Sequence, residues 1–126
     1  MRRTFLLAIA VFGLSVLFPV AAQERAQITG IWHGPWYRGM TSGLVTIELG
    51  SAGAGTIRFT NLESFGEDAV ELKNVEVDGK TLTFRAEGKS GAEFKASATV
   101  TAEGSRMRGN GRYEGFGVRF ETRPKI

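Results

Sequence analysis

The chain has no cysteine, one histidine, three prolines and two tryptophans in 126 residues. Without cysteine there is no disulfide, no thiolate nucleophile and no sulfur ligand for a metal. His33 therefore has neither a histidine nor a cysteine partner, which removes the usual transition-metal sites and the histidine-based catalytic dyads. A Gly-x-Ser-x-Gly elbow is also missing. Nothing marks a pair of the 13 acidic residues as a hydrolytic pair. No catalytic residue, metal or cofactor is expected. Without staples, stability must come from a packed core, which a domain of about 100 residues can supply.

A strong charge of one sign is lacking too. The formal net charge of +3 owes much to Arg2 and Arg3, and these belong to a leader. They precede the apolar run Phe5–Phe18, Pro19 breaks the run, and Val20-Ala21-Ala22 supply small residues before Gln23. That order is a secretory signal peptide of bacterial type over residues 1–22. The alternative is an uncleaved anchor, but the run falls short of the roughly 20 residues that span a bilayer. No cysteine follows it to carry a lipid. The expected mature chain is one domain over residues 23–126, with 14 basic and 13 acidic residues and no membrane span. Its charges are interleaved, which argues against nucleic acid. The periplasm is the expected location, with release from the cell second.

What is present is a strand pattern. Ile28–Arg38 reads ITGIWHGPWYR, with Ile28, Gly30, Trp32, Gly34 and Trp36 sharing one parity. Pro35 predicts a bulge or an unpaired edge. His33 has the opposite parity to Trp32 and is expected at the surface. After a loop at Arg38–Gly43, strands follow at Leu44–Leu49, Thr56–Leu62, Val70–Val77, Lys80–Glu87, Glu93–Thr101, Arg106–Tyr113 and Phe116–Arg123. Parity slips between Leu72 and Val75, which predicts a bulge near Lys73-Asn74. Asp78-Gly79 is expected to be the loop of a hairpin that pairs Val77 with Lys80. In the last strand Phe116, Val118, Phe120 and Thr122 are expected inside. No segment after the leader has a helical period.

About eight strands with short links favour antiparallel neighbours. Each has one apolar face, and curling into a closed up-and-down barrel buries it and removes the edges. The fold class is therefore all-β, an eight-stranded antiparallel barrel, with a β-sandwich as the alternative.

Gly30-Ile31-Trp32 on the first strand and Arg123 at the end of the last resemble the lipocalin-like (calycin-type) barrels, which include avidins and fatty-acid-binding proteins. The resemblance implies that Gly30, Trp32 and Arg123 are structural, with Arg123 covering Trp32 at one end of the barrel. Avidins carry later tryptophans in their biotin site, and none follows Trp36 here. A small secreted bacterial lipocalin-like domain fits better.

Three functions follow. In the first, the small inward residues Ala86, Ala96, Ala98, Gly109 and Gly111 open a cavity for a small apolar ligand. Trp36, Phe65, Phe94, Met107 and Tyr113 line it, and Asn61 orients a polar group of the ligand. The alternative for the same residues is that large side chains from other strands fill the space. In the second, the protein is a non-enzymatic envelope or interaction protein. Arg106, Arg108, Arg112 and Arg119 then form an outer basic stripe for an acidic partner or an anionic membrane surface, with Glu114 and Glu121 neutralising part of it. The third is an enzyme working by cavity shape. The acidic loop of Glu63, Glu67, Asp68 and Glu71 lacks the alternating ligands of a calcium loop and reads as solvated.

Overall fold

The computed structural model describes residues 28–50, 53–101 and 104–125. The expected signal peptide lies outside them. Eight strands run in chain order: β1 (Gly30–Arg38), β2 (Thr41–Leu49), β3 (Gly55–Phe59), β4 (Val70–Asp78), β5 (Thr81–Glu87), β6 (Glu93–Val100), β7 (Met107–Tyr113) and β8 (Phe116–Pro124). Each pairs antiparallel with its sequence neighbours, and β8 pairs with β1. That last seam closes the barrel and excludes the sandwich.

Period-2 alternation sets which residues are inside. Along β6, Phe94, Ala96, Ala98 and Val100 are buried while Glu93, Lys95, Ser97 and Thr99 face water. Along β7, Met107, Gly109, Gly111 and Tyr113 are buried. The expected bulge in β4 is present. Lys73 pairs with Arg85 and Glu76 with Thr83, so the register shifts between them, and Asn74 has a positive φ.

Several local expectations are corrected. The β4–β5 turn is Gly79-Lys80, because Asp78 pairs with Thr81 and Val77 with Leu82. Gly79 takes positive φ and Lys80 does not, the pattern of a glycine-first two-residue turn. The same turn type at Gly39-Met40 replaces the longer loop at Arg38–Gly43, and β2 starts at Thr41. Gly43 belongs to that strand because the Trp36 indole lies against it. A Cβ there would meet Trp36 Nε1 at 2.6 Å. Of the two expectations for Pro35, the unpaired stretch holds and the bulge does not: the β1–β8 ladder skips Gly34 and Pro35 without changing register, consistent with a nitrogen that has no hydrogen to donate. β3 ends at Phe59, not Leu62, and Asn61 turns the chain with φ 64°.

The inside is filled across strands. The Phe120 ring occupies the space where Gly109 would carry a Cβ, and the Phe94 ring does the same over Gly111. Gly109 and Phe120 are direct cross-strand partners. The small-residue wall is thus the floor on which large rings lie.

Gly109→Ala should force the Phe120 ring off its seat and destabilise the barrel by about 1–3 kcal/mol, measured by urea unfolding. In the background of Phe120→Leu, which shortens the intruding ring, the cost of Gly109→Ala should fall by more than half. Additive costs would mean that the two residues do not share one space.

Candidate functional site

Four of the six cavity candidates come together. The Phe59 ring meets Trp36 at 6.2 Å, Phe65 at 4.8 Å and Phe94 at 5.2 Å between centroids, all edge-to-face. Phe65 also meets Tyr113 at 5.6 Å. Such pairs are favourable beyond their buried area. Met107 lies nearer the other end, paired with Val100 and Thr122. Asn61 is not inside. It is exposed, and its amide donates to the Ser42 carbonyl at 2.8 Å, which holds the start of the β3–β4 loop against β2.

Phe65 differs from the other rings because a loop supplies it. It closes the end of the barrel that carries the β1–β2, β3–β4, β5–β6 and β7–β8 connections, and it is 1% exposed. The loop is tied down on several sides. Lys89 N–H donates to the Phe65 carbonyl at 2.9 Å and Ser90 N–H to the Ser64 carbonyl at 3.1 Å. The Tyr113 hydroxyl donates to Ser64 Oγ at 3.0 Å, and Ser64 Oγ–H donates to Glu114 Oε1 at 2.8 Å. Trp36 Nε1–H donates to the Thr60 carbonyl at 2.8 Å. The two polar atoms of the aromatic cluster are therefore spent on the cap.

The opposite end closes differently from the expectation for Gly30, Trp32 and Arg123. Trp32 points inward and its Nε1–H donates to the Ile28 carbonyl at 2.8 Å. Arg123 has odd parity, faces water and sits opposite His33 on the outer wall. Ile28, not Arg123, covers the tryptophan. Gly30 is exposed with φ 135°.

Two grooves lie at the rims. One of about 640 Å3 at the Trp32 end is lined by Ile31, Glu48, Leu49, Thr56, Glu71 and Leu72. It lies beside the β3–β4 seam, which is two residue pairs long. Another of about 380 Å3 at the capped end lies between Arg38, Asn61, Glu63, Ser64 and Glu114. Among the described residues no group of three or more His, Cys, Asp or Glu could hold a metal ion.

On the outer wall, β7 and β8 bring Arg108, Arg112 and Arg119 onto one face, while Arg106 precedes β7. Glu121 neutralises Arg108 through a 2.6 Å ion pair. Glu114, expected to share that task, instead accepts from Ser64. The Arg119 guanidinium lies 5.5 Å from the Tyr37 ring centroid, and that of Arg38 lies 4.2 Å from the Phe116 ring. Phe116 is a correction: its parity is inward, yet it stands at the barrel rim and is 56% exposed. His33 is on the outer face as expected, half-buried, with Nδ1 2.7 Å from Thr46 Oγ1.

Reading by inward parity missed an apolar stripe beside these arginines. Ile31, Tyr37, Met40, Leu44 and Phe116 are the exposed large hydrophobics among the described residues. All lie on β1, the β1–β2 turn, β2 or the start of β8. The signal was in the sequence: Tyr37 and Leu44 are out of step with Trp36 and Val45 beside them.

No family model matches the chain, and no curated protein sequence matches it. Among solved structures the barrel is similar to a de novo designed fluorescence-activating β-barrel, with TM-score 0.53 and 18% identity over 86% of this chain and 100% of that one. At that identity the likeness is one of fold.

On the wall remote from the stripe, Arg85 grips Glu93 with Nε and Nη2 at 2.8 and 2.9 Å. Hydrogen bonding first, and then the charge of Arg85, hold the Glu93 carboxyl below its ordinary range. A depressed carboxylate pKa adds stability above the unfolded-state value, and that contribution is lost as pH falls through the folded-state value. An NMR titration should place Glu93 below free glutamate and return it upward in Arg85→Met. The second prediction concerns the plug. Phe65→Ala should cost about 3–5 kcal/mol and leave an apolar cavity that binds benzene, while the unaltered barrel binds none.

Proposed function

We propose that the protein is an exported, non-enzymatic interaction barrel that engages its partner through the outer face of β8, β1 and β2. One observation carries this reading. The inside is occupied by the protein's own rings, while Tyr37, Met40, Leu44 and Phe116 gather on one side of the outside with arginines stacked on two of them. Isolated exposed apolar residues are ordinary on any protein, but a contiguous group marks an interaction surface. The arginines add charge selectivity and faster encounter with an acidic partner. Export is read from the leader sequence and supports a partner in the cell envelope, with the periplasm as the first location.

A second reading is favoured by Phe65. Because a loop supplies that ring, a small apolar ligand could take its place among Phe59, Phe94 and Tyr113 if the loop lifted. The fold likeness to a barrel described as fluorescence-activating is compatible with this. Against it stand the hydrogen bonds that pin the loop to β7 and to the β5–β6 turn.

The test is photo-crosslinking in the source cells, with benzoylphenylalanine at Tyr37 or Met40 and, as a control, at Thr83 on the opposite wall. Light-dependent adducts from positions 37 and 40 and none from 83 are expected. Adducts from 83 alone, or from no position, contradict the outer-face reading.

A further inference from the structure

We infer that the partner of this face is the surface of an anionic lipid bilayer, with Tyr37, Met40, Leu44 and Phe116 seated at headgroup depth and Arg38, Arg112 and Arg119 against lipid phosphates. The inference rests on the outer-face reading and names its partner.

Charge is the first support. Strands β3 to β6 with their connections, residues 50–103, hold nine acidic and six basic residues, whereas residues 28–49 and 104–125, which carry the face, hold three acidic and seven basic. The barrel therefore has an acidic half and a basic half, although its total charge is modest. Such a distribution turns the basic side toward a negative surface. Among the described residues no carboxylate forms an ion pair with Arg38, Arg112 or Arg119; the ion pairs present are Lys73–Glu87, Arg85–Glu93 and Arg108–Glu121.

The apolar residues are the second support. Met40 is fully exposed at the tip of a turn, and Leu44 lies opposite Pro35 on the adjoining strand. Arg119 over Tyr37 and Arg38 over Phe116 combine an aromatic face with a cation. Rings suited to the headgroup layer and long basic side chains that reach phosphates are the chemistry of an interfacial surface. Beside the projecting Met40 the wall carries a groove of about 600 Å3 lined by Tyr37, Arg108, Asn110, Arg119 and Glu121, open to a phosphate-bearing headgroup at Arg119.

The test is sedimentation with vesicles of phosphatidylcholine alone or with 30 mol% phosphatidylglycerol, roughly the anionic share at which surface attraction is strong. All chains carry the same N-terminus, so differences between variants report the face. Binding to the anionic vesicles should exceed binding to the neutral ones by about tenfold or more. It should fall about tenfold in Tyr37→Ser/Met40→Ser and in Arg112→Glu/Arg119→Glu. The same charge change away from the face, Lys73→Glu on β4 with Lys89→Glu at the β5–β6 turn, should leave binding to the anionic vesicles well above that of the face reversal. Circular dichroism checks folding, and Arg112→Gln/Arg119→Gln replaces the reversal if that chain unfolds.

Equal binding to both vesicle types overturns the inference, as does a remote reversal that weakens binding as much as the face reversal. Self-association of the basic half with the acidic half of a second copy, seen by analytical ultracentrifugation without vesicle binding, also overturns it. Protein adducts from positions 37 and 40 without vesicle binding remove the lipid and leave the outer-face reading in place.

Discussion

Two aromatic rings depend on two missing side chains. Phe120 and Phe94 lie inside the barrel because residues 109 and 111 present bare backbone beneath them. An eight-stranded barrel is just wide enough for inward side chains to fill it, and here the filling is uneven. One wall, from Ala86 through Ala96 and Ala98 to the glycines of β7, contributes almost no volume. The rings of Phe84 and Phe94, on the same strands, and of Phe59 and Phe120, on β3 and β8, supply it. Close packing of this kind leaves little latitude, since even one added methyl must displace a ring.

Closure at the ends follows from the same shortage of polar groups inside. Each buried ring nitrogen or hydroxyl needs a partner. Trp36, Trp32 and Tyr113 find theirs at the rims, in Thr60, Ile28 and Ser64. Those bonds fasten the β3–β4 loop at one end and the chain entering β1 at the other. The proposed outer-face role takes this packed interior with both ends fastened as its starting point. The outer wall divides into a basic, partly apolar half and an acidic half.

Much of this was legible in the residues. Alternation along β5 to β8 identified the inward sets apart from Phe116, which the barrel rim leaves exposed, and the slip between Leu72 and Val75 located the bulge. The antiparallel order followed from short links, and barrel closure from one-sided burial. The misses have local causes. Asp78-Gly79 resembles a hairpin loop, but the glycine-first turn lies one residue later, so Val77 pairs with Leu82 and not with Lys80, a shift of two that keeps the same faces inward. Gly43 resembled loop because its packing partner, Trp36, reaches it across the β1–β2 ladder and not from its own strand. Asn61 kept inward parity on paper while its own positive φ ended the strand. Small residues looked like space because parity says which side chains face inward and not how far a ring from another strand reaches. Arg123 followed its parity outward, and the family-like cover over Trp32 is provided by a backbone carbonyl instead.

Native mass spectrometry of the protein purified from its own compartment tests the central claim most directly. A filled barrel predicts the mass of the polypeptide alone at every concentration, with no small molecule retained under conditions that preserve folded structure. A stoichiometric small molecule that survives in the wild-type protein and is lost when the β3–β4 loop is altered would contradict it and place the function inside.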